Sequence, residues 1–230
     1  MTNTLVDLQD RDIRQRDIIP AAKLSGMTCV IIGVGAIGRQ VAMQLATIGV
    51  PRLYLLDPDT VSVENLAAQG FREADLGKPK VFAVKDACLE ANSGIKIVAD
   101  RGKFACNKRI PAIDKKEVRA IFCCVDSMTA RKDIWAALGN EPFFVDTRMG
   151  AEVARVLCTH DKDPVAAKHY PTTLFDESRA FVATCTAKTT FYCASLCAAL
   201  AVSQLTKYLR DVPIDKDITF NILACELNRA

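Results

Sequence analysis

At 230 residues, half of them hydrophobic and a quarter charged, the chain has a globular composition, which excludes disorder and fibrous repeats. Lys plus Arg number 30 against 27 Asp plus Glu, and the net +3 is too mild to point to nucleic acid or to an acidic membrane surface. Ten cysteines are many, but there is no Cys-x-x-Cys pair, so no structural zinc site is expected. Residues 1–16 carry Asp7, Asp10, Arg11, Asp12 and Arg14 and no apolar core, unlike a signal peptide. The expected compartment is the cytoplasm, with reduced thiols.

Residues 28–33 form a continuous β-rich apolar run ending at a glycine, the pattern of a buried strand. A helix is expected over 36–48, with Ile37, Val41, Leu45 and Ile48 on one face and Gly49 as its C-cap. A second strand spans 52–56 and ends at Asp57. A loop is expected from Pro58 to Gly77, then a helix over 78–91 with Pro79 in its first turn, then a third strand over 95–99. Residues 118–125 read as a fourth strand ending at Asp126, 129–138 as a helix, and 143–145 as a short fifth strand ending at Asp146. Strands alternating with helices at this spacing predict a parallel, doubly wound sheet.

The pattern changes after Gly150. Residues 152–159 alternate like a strand with one exposed face, 160–184 are polar and irregular, 187–209 form a long apolar helix, and 218–227 a last strand. The uncharged stretch between Lys188 and Lys207 is diluted by Thr and Ser and reads as a buried helix rather than a membrane span. The fold class expected is thus α/β: a Rossmann-like, mostly parallel sheet extended by antiparallel strands at its C-terminal end.

In such a sheet, ligands bind beyond the carboxyl ends of the strands. Those ends carry Gly33-Val-Gly35-Ala-Ile-Gly38, then Asp57 and Asp59, then Asp126, then Asp146 and Arg148. The glycine spacing after a strand and before a helix is the nucleotide-binding fingerprint, because it permits a tight turn and offers free N–H groups to phosphate. Asp57 follows at the distance expected of an acid that bonds ribose hydroxyls. A dehydrogenase would need hydride-transfer machinery, and the two histidines, His160 and His169, both fall in the irregular segment.

The next segment, Asp57-Pro-Asp59-Thr-Val-Ser-Val-Glu-Asn65-Leu66-Ala-Ala-Gln69 and then Gly77-Lys78-Pro-Lys80, resembles the MoeB/ThiF/HesA and ubiquitin-activating superfamily of adenylating enzymes. Arg14-Gln15, Val125-Asp126-Ser127 with Arg131, and Thr184-Cys185 before the long helix resemble further family segments in the same order, over roughly residues 10 to 228. The resemblance implies a single adenylation domain over 1–230, with a nucleotide-binding half at about 26–150 and a crossover-loop and substrate half at about 151–230. It implies ATP with Mg2+ as cofactors and activation of the C-terminal carboxylate of a ubiquitin-like or sulfur-carrier protein, or of a peptide, to an acyl adenylate. Such a nucleophile is already ionised and needs no general base, which agrees with the histidine-poor strand ends.

By the same resemblance, Asp57 holds ribose, with Asp59 beside it. Gly33, Gly35 and Gly38 lie against the nucleotide, and Lys80 and Asn65 contact phosphates. Gln69 is positional and Asp126 ligates magnesium. Arg14 reaches the site of a neighbouring subunit in a homodimer, and Cys185 takes the activated acyl group. Read as residues alone, Lys80 also fits a solvated helix lysine, Asp126 a helix cap, Arg14 part of a charged face and Cys185 an apolar filler. The family's Asn-Leu-x-Arg-Gln has Ala68 in place of its arginine, with Arg72 nearby as a substitute. That departure keeps a catalytically degenerate scaffold as the second functional reading, and a nicotinamide-dependent dehydrogenase as the third.

Overall fold

The computed structural model describes residues 11–105, 118–138, 142–176 and 189–230. β1 (Met27–Ile32) is buried along its whole length, as its Val- and Ile-rich sequence requires of a strand covered on both faces. α2 (Ala36–Ile48) follows and buries Ile37, Val41 and Leu45 on one stripe. It stops where Gly49 turns left-handed at φ 98°, with its N–H returning to the last carbonyls. α1 (Ala21–Leu24) is a single turn ahead of β1. β2 (Arg52–Leu56), α4 (Lys80–Ala91), β3 (Lys96–Asp100), β4 (Val118–Cys123) and α5 (Met128–Leu138) complete the N-terminal part of the fold.

The sheet has eight strands in the order β3-β2-β1-β4-β5-β6-β7-β8. β3, β2, β1, β4 and β5 (Phe143–Gly150) are mutually parallel. β6 (Val153–His160), β7 (Asp217–Asn221) and β8 (Glu226–Arg229) continue it antiparallel. One face packs on α2, α4 and α7 (Phe191–Leu209) and the other on α5 and α6 (Pro164–Thr172). α7 packs tightly because it buries small side chains, Cys193, Ala194, Cys197, Ala198 and Ala201, against the sheet and α2. Among the described residues no helix is long and apolar enough to cross a membrane. The opposite face is held by an aromatic trio, with Trp135 4.7 Å from Tyr170 and 5.4 Å from Phe144 between ring centroids.

Several expected elements differ. The loop from Pro58 to Gly77 contains α3 (Glu64–Gln69) and a 3-10 turn at Glu73–Asp75. Pro79 sits just before α4, as its N-cap, because its ψ of 133° is not helical. The fifth strand runs to Gly150, since its second half pairs with β6 alone. The irregular segment holds α6, which Asp163 caps by accepting from the N–H groups of Val165 and Ala166, with Pro164 at the start where its missing N–H is harmless. The last strand is two, β7 and β8, joined by a turn in which Cys225 adopts φ 55°.

Candidate nucleotide site

The carboxyl ends of β1, β2, β4 and β5 open onto one cavity of about 830 Å3. Gly33 turns the chain out of β1 at φ 85°, and a Cβ there would lie 2.7 Å from the Cys124 carbonyl oxygen. Gly38 lets α2 lie against that turn, since its Cβ would come within 1.9 Å of the Gly33 carbonyl oxygen. Gly35 differs, because a Cβ there would make only ordinary contact, 3.5 Å from Gln69 Oε1, and the space beyond is the cavity. No side chain among the described residues caps α2, so its first N–H groups and positive dipole end face that space.

Asp57 is 5% exposed and stitches the turn together. Its carboxylate accepts from Val34 N–H at 2.7 Å and from Asp59 N–H at 2.8 Å. Burial pushes its carboxyl above the usual range, although both backbone bonds and the charge of Lys80 pull the other way. Lys80 opens α4 with a buried side chain and donates to the exposed Asp59 at 3.0 Å, and both line the cavity. Gln69 also lies on the wall, with its buried Oε1 unpaired among the described residues.

Asp126 stands exposed on the wall after β4. The bond of a helix cap falls to its neighbour, Ser127 Oγ, which accepts from Ala130 N–H at 3.2 Å, so Asp126 is not spent on capping α5. Among the described residues no cluster of three His, Cys, Asp or Glu could hold a metal ion. A single carboxylate on a wall shared with an uncapped helix end nevertheless fits Mg2+, which is held by one or two carboxylates together with phosphate oxygens.

Among the described residues, four sequence-based candidates, Asn65, Gly38, Arg14 and Arg72, lie off the wall. Asn65 is off the wall, its Oδ1 taken by Ser62 N–H at 3.1 Å and Ser62 Oγ–H at 3.0 Å. Gly38 packs beneath the turn, and Cys185 lies outside the described residues. Arg14 is exposed in a segment pinned to the far ends of α2 and α4, where Gln15 donates to Ile48 O at 3.0 Å and Arg11 to Ala91 O at 3.1 Å. Arg72 pairs with Asp75 at 3.1 Å and Glu90 at 2.9 Å and is also off the wall.

Sequence reasoning missed one part of the wall, and it named the residues of another without the network that joins them. Gly102, Lys103 and Phe104 reach the wall from the loop after β3, with no motif to flag them. At the β5 end, fully buried Asp146 is gripped by Arg131 at 2.9 Å and Arg148 at 2.8 Å, and Tyr170 donates to it at 3.1 Å. Arg148 also donates to Thr173, at 2.9 Å to its carbonyl and 3.0 Å to its hydroxyl. The signal for this network was Asp-x-Arg at a strand end. Neither His160 nor His169 lines the cavity.

The ThiF family model matches residues 10–227. A curated maize protein, adenylyltransferase and sulfurtransferase MOCS3-1 (Zea mays), is 30% identical over 153 residues, 65% of this chain and 32% of that protein. The sulfur carrier protein ThiS adenylyltransferase of Escherichia coli (strain K12) is 31% identical over 131 residues, 56% of this chain and 51% of that protein. The matches thus span about a third to a half of these relatives' length. The crystal structure of PaaA superposes with a TM-score of 0.77 at 22% identity, covering 100% of this chain and 85% of that one. Escherichia coli MccB with ATP superposes with a TM-score of 0.70 at 20% identity, covering 91% and 64%. These structures are similar in fold, and the family match spans nearly the whole sequence: the chain belongs to the ThiF family.

Proposed function

We propose that the chain uses ATP to adenylate the C-terminal carboxylate of a peptide, or of a ubiquitin-like or sulfur-carrier protein, releasing pyrophosphate. The observation that carries this reading is one cavity that gathers an uncapped helix end, Asp57, Lys80 and Asp126. The names of the relatives support it: two are adenylyltransferases, and MccB is described with ATP.

Asp57 already accepts two backbone N–H groups, and its remaining lone pairs would take ribose hydroxyls. The bare wall at Gly35 and the first N–H groups of α2 would receive phosphates, with Gln69 shaping that wall. Lys80, steered by Asp59, would neutralise charge that builds up as the α-phosphate is attacked. Asp126 would hold Mg2+, which when bound offsets charge on the leaving pyrophosphate. Arg14 lies at the end of α2 remote from its own cavity, so it would serve the cavity of a second copy in a homodimer. Cys185 would accept the acyl group from the adenylate as a thioester, with AMP leaving and the thiol proton released to solvent. All 230 residues would act as one adenylation domain, in the cytoplasm.

Ala68 favours a second reading, a scaffold that binds nucleotide without turning it over, because Arg72 is committed to acidic partners. Against it, Lys80 and Lys103 both line the cavity. ATP–pyrophosphate exchange, measured with pooled peptides bearing free carboxyl ends, separates the two. Exchange that falls at least about a hundredfold in Lys80→Ala and in Asp126→Ala supports the enzyme. ATP binding with no exchange above background, whatever peptide is added, establishes the scaffold.

A further inference from the structure

The carboxyl ends of β1, β2 and β3 are held in step by main-chain bonds. Gly33 N–H donates to Leu56 O at 2.8 Å, and Asp57 N–H donates to Asp100 O at 3.1 Å. The glycine turn, Asp57 and Asp100 therefore stand side by side, one strand spacing of ~4.8 Å apart. A nucleotide is laid out in the same order: phosphate, ribose, base. With phosphate on the glycine turn and ribose on Asp57, the base falls beyond β3, where Gly102, Lys103 and Phe104 line the cavity.

That stretch is fixed by a side chain from the neighbouring strand. Tyr54 is the one polar side chain in the buried run 53–56 of β2. Its ring is 4% exposed and belongs to the cluster, with Val30, Leu56 and Ile121, that Phe104 packs against. Tyr54 pairs with Val98, and Leu56 pairs with Asp100. Tyr54 and Asp100 thus share one face of the sheet, and the hydroxyl reaches diagonally toward the carboxyl edge. There it donates to Asp100 Oδ2 at 2.5 Å. Asp100 Oδ1 accepts from Gly102 N–H at 2.8 Å, a turn that sets the direction in which Lys103 and Phe104 leave the strand. Burial, and then the carboxylate, push the Tyr54 hydroxyl well above the usual range, so it remains a donor. One residue therefore joins a buried hydroxyl, the turn that carries Phe104 and, through its backbone, the strand end that carries Asp57. Packing alone would be met by a phenylalanine at 54, so what the hydroxyl adds is at the cavity edge.

We propose that Tyr54 and Asp100 are positioning residues for the nucleobase, holding Phe104 where the base of the nucleotide stacks on it. The assignment rests on the nucleotide part of the proposed function, which fixes the order of phosphate, ribose and base, and not on the fate of any carboxylate substrate.

The test is calorimetric titration of the full chain with ATP and Mg2+ and, separately, with tripolyphosphate and Mg2+, a probe that has the phosphates and no base. Tyr54→Phe keeps the ring in the core and removes only the hydroxyl, and its thermal midpoint shows that it folds. Its ATP affinity should fall about three- to tenfold, part of the worth of one stacked base, while its tripolyphosphate affinity stays unchanged. Phe104→Ala should lose about tenfold or more on ATP alone. Asp100→Ala should repeat the loss of Tyr54→Phe. Asp100→Asn should recover most of it, because an amide still accepts from Gly102 N–H and donates to the Tyr54 oxygen. Unchanged ATP affinity in Tyr54→Phe overturns the assignment, and so does an equal loss for both probes, the mark of a cavity loosened throughout. ATP bound no more tightly than tripolyphosphate by the unaltered chain overturns it too, and leaves the phosphate contacts standing. The expected pattern without pyrophosphate exchange from any peptide supports the assignment and sinks the adenylation reading. Binding of neither probe overturns the nucleotide reading and this assignment together.

Discussion

Gly35 and Gly38 are three residues apart in one fingerprint and serve different ends. An alanine at 38 must push into the Gly33 carbonyl, so Gly38→Ala should cost ~1–3 kcal/mol or more in urea unfolding. An alanine at 35 meets only Gln69 at ordinary distance, so Gly35→Ala should fold with an unchanged midpoint while ATP affinity, read by calorimetry, falls. If Gly35→Ala bound ATP normally, the bare wall would not be the phosphate approach. The thiols divide just as sharply. Burial pushes Cys193 up to about 11 and Cys88 and Cys124 up to about 12, leaving almost no thiolate near neutral pH. Cys225 is exposed, so Cys225→Ser should remove a fast phase of Ellman's-reagent labelling at pH 8.

At the scale of elements, the buried Asp146 between Arg131 and Arg148 ties β5 to α5 and, through Tyr170 and Thr173, to α6. Asp146→Ala would strand two cations in the wall, and a loss of ~3–5 kcal/mol in urea unfolding is expected. Asp217 also joins elements, β7 to β6 and α6, and Asp75 ties down its own turn. Burial raises each carboxyl, but hydrogen bonds from Arg72 to Asp75, and from Arg155 and His169 to Asp217, outweigh it and hold both below the ordinary range. A carboxyl depressed in the folded state stabilises it above the unfolded value, about 3.9, and that stability disappears as pH falls through the lowered folded value. The urea midpoint should therefore fall steeply below about pH 4, and less steeply in Asp217→Asn.

α2 and β2 were legible to the residue because an amphipathic stripe and a β-rich run are bounded by Gly49, Arg52 and Asp57. α3 was not, being six residues long. The second half of β5 was hidden because Asp-Thr-Arg-Met reads as polar loop unless β6 is known to lie beside it. β7 and β8 ran together because their turn contains Ile222, Leu223, Ala224 and Cys225, which carry no polar punctuation. Of the site, the glycine turn, Asp57, Lys80 and Asp126 follow from motifs, whereas Lys103, Phe104 and the arginines around Asp146 meet only through sheet order.

On the scale of the whole molecule, nucleotide binding at the carboxyl edge should leave a directional imprint. ATP with Mg2+ at a hundred times Kd would stabilise the fold by about 2.7 kcal/mol. Hydrogen exchange should slow most around residues 33–38, 57–59 and 124–131, beyond the slowing that global stabilisation gives every strand, and least in β7 and β8. Extra slowing in β7 and β8 instead of around the glycine turn would place the ligand elsewhere. β4 releases β5 after Asp146, so Thr147 to Gly150 overhang the parallel strands by four residues, ~13 Å, with only β6 alongside. Thr147, Arg148 and Met149 on that overhang line the cavity. Side chains alternate along a strand, so removal of Thr147 alone would turn Arg148 to the opposite face. Substitutions on the overhang can therefore reshape one wall without disturbing the strands that carry the glycine turn. A scaffold divided in this way has a half that tolerates little drift and a half open to tinkering, so new substrates can be acquired while a single grip on nucleotide is inherited unchanged.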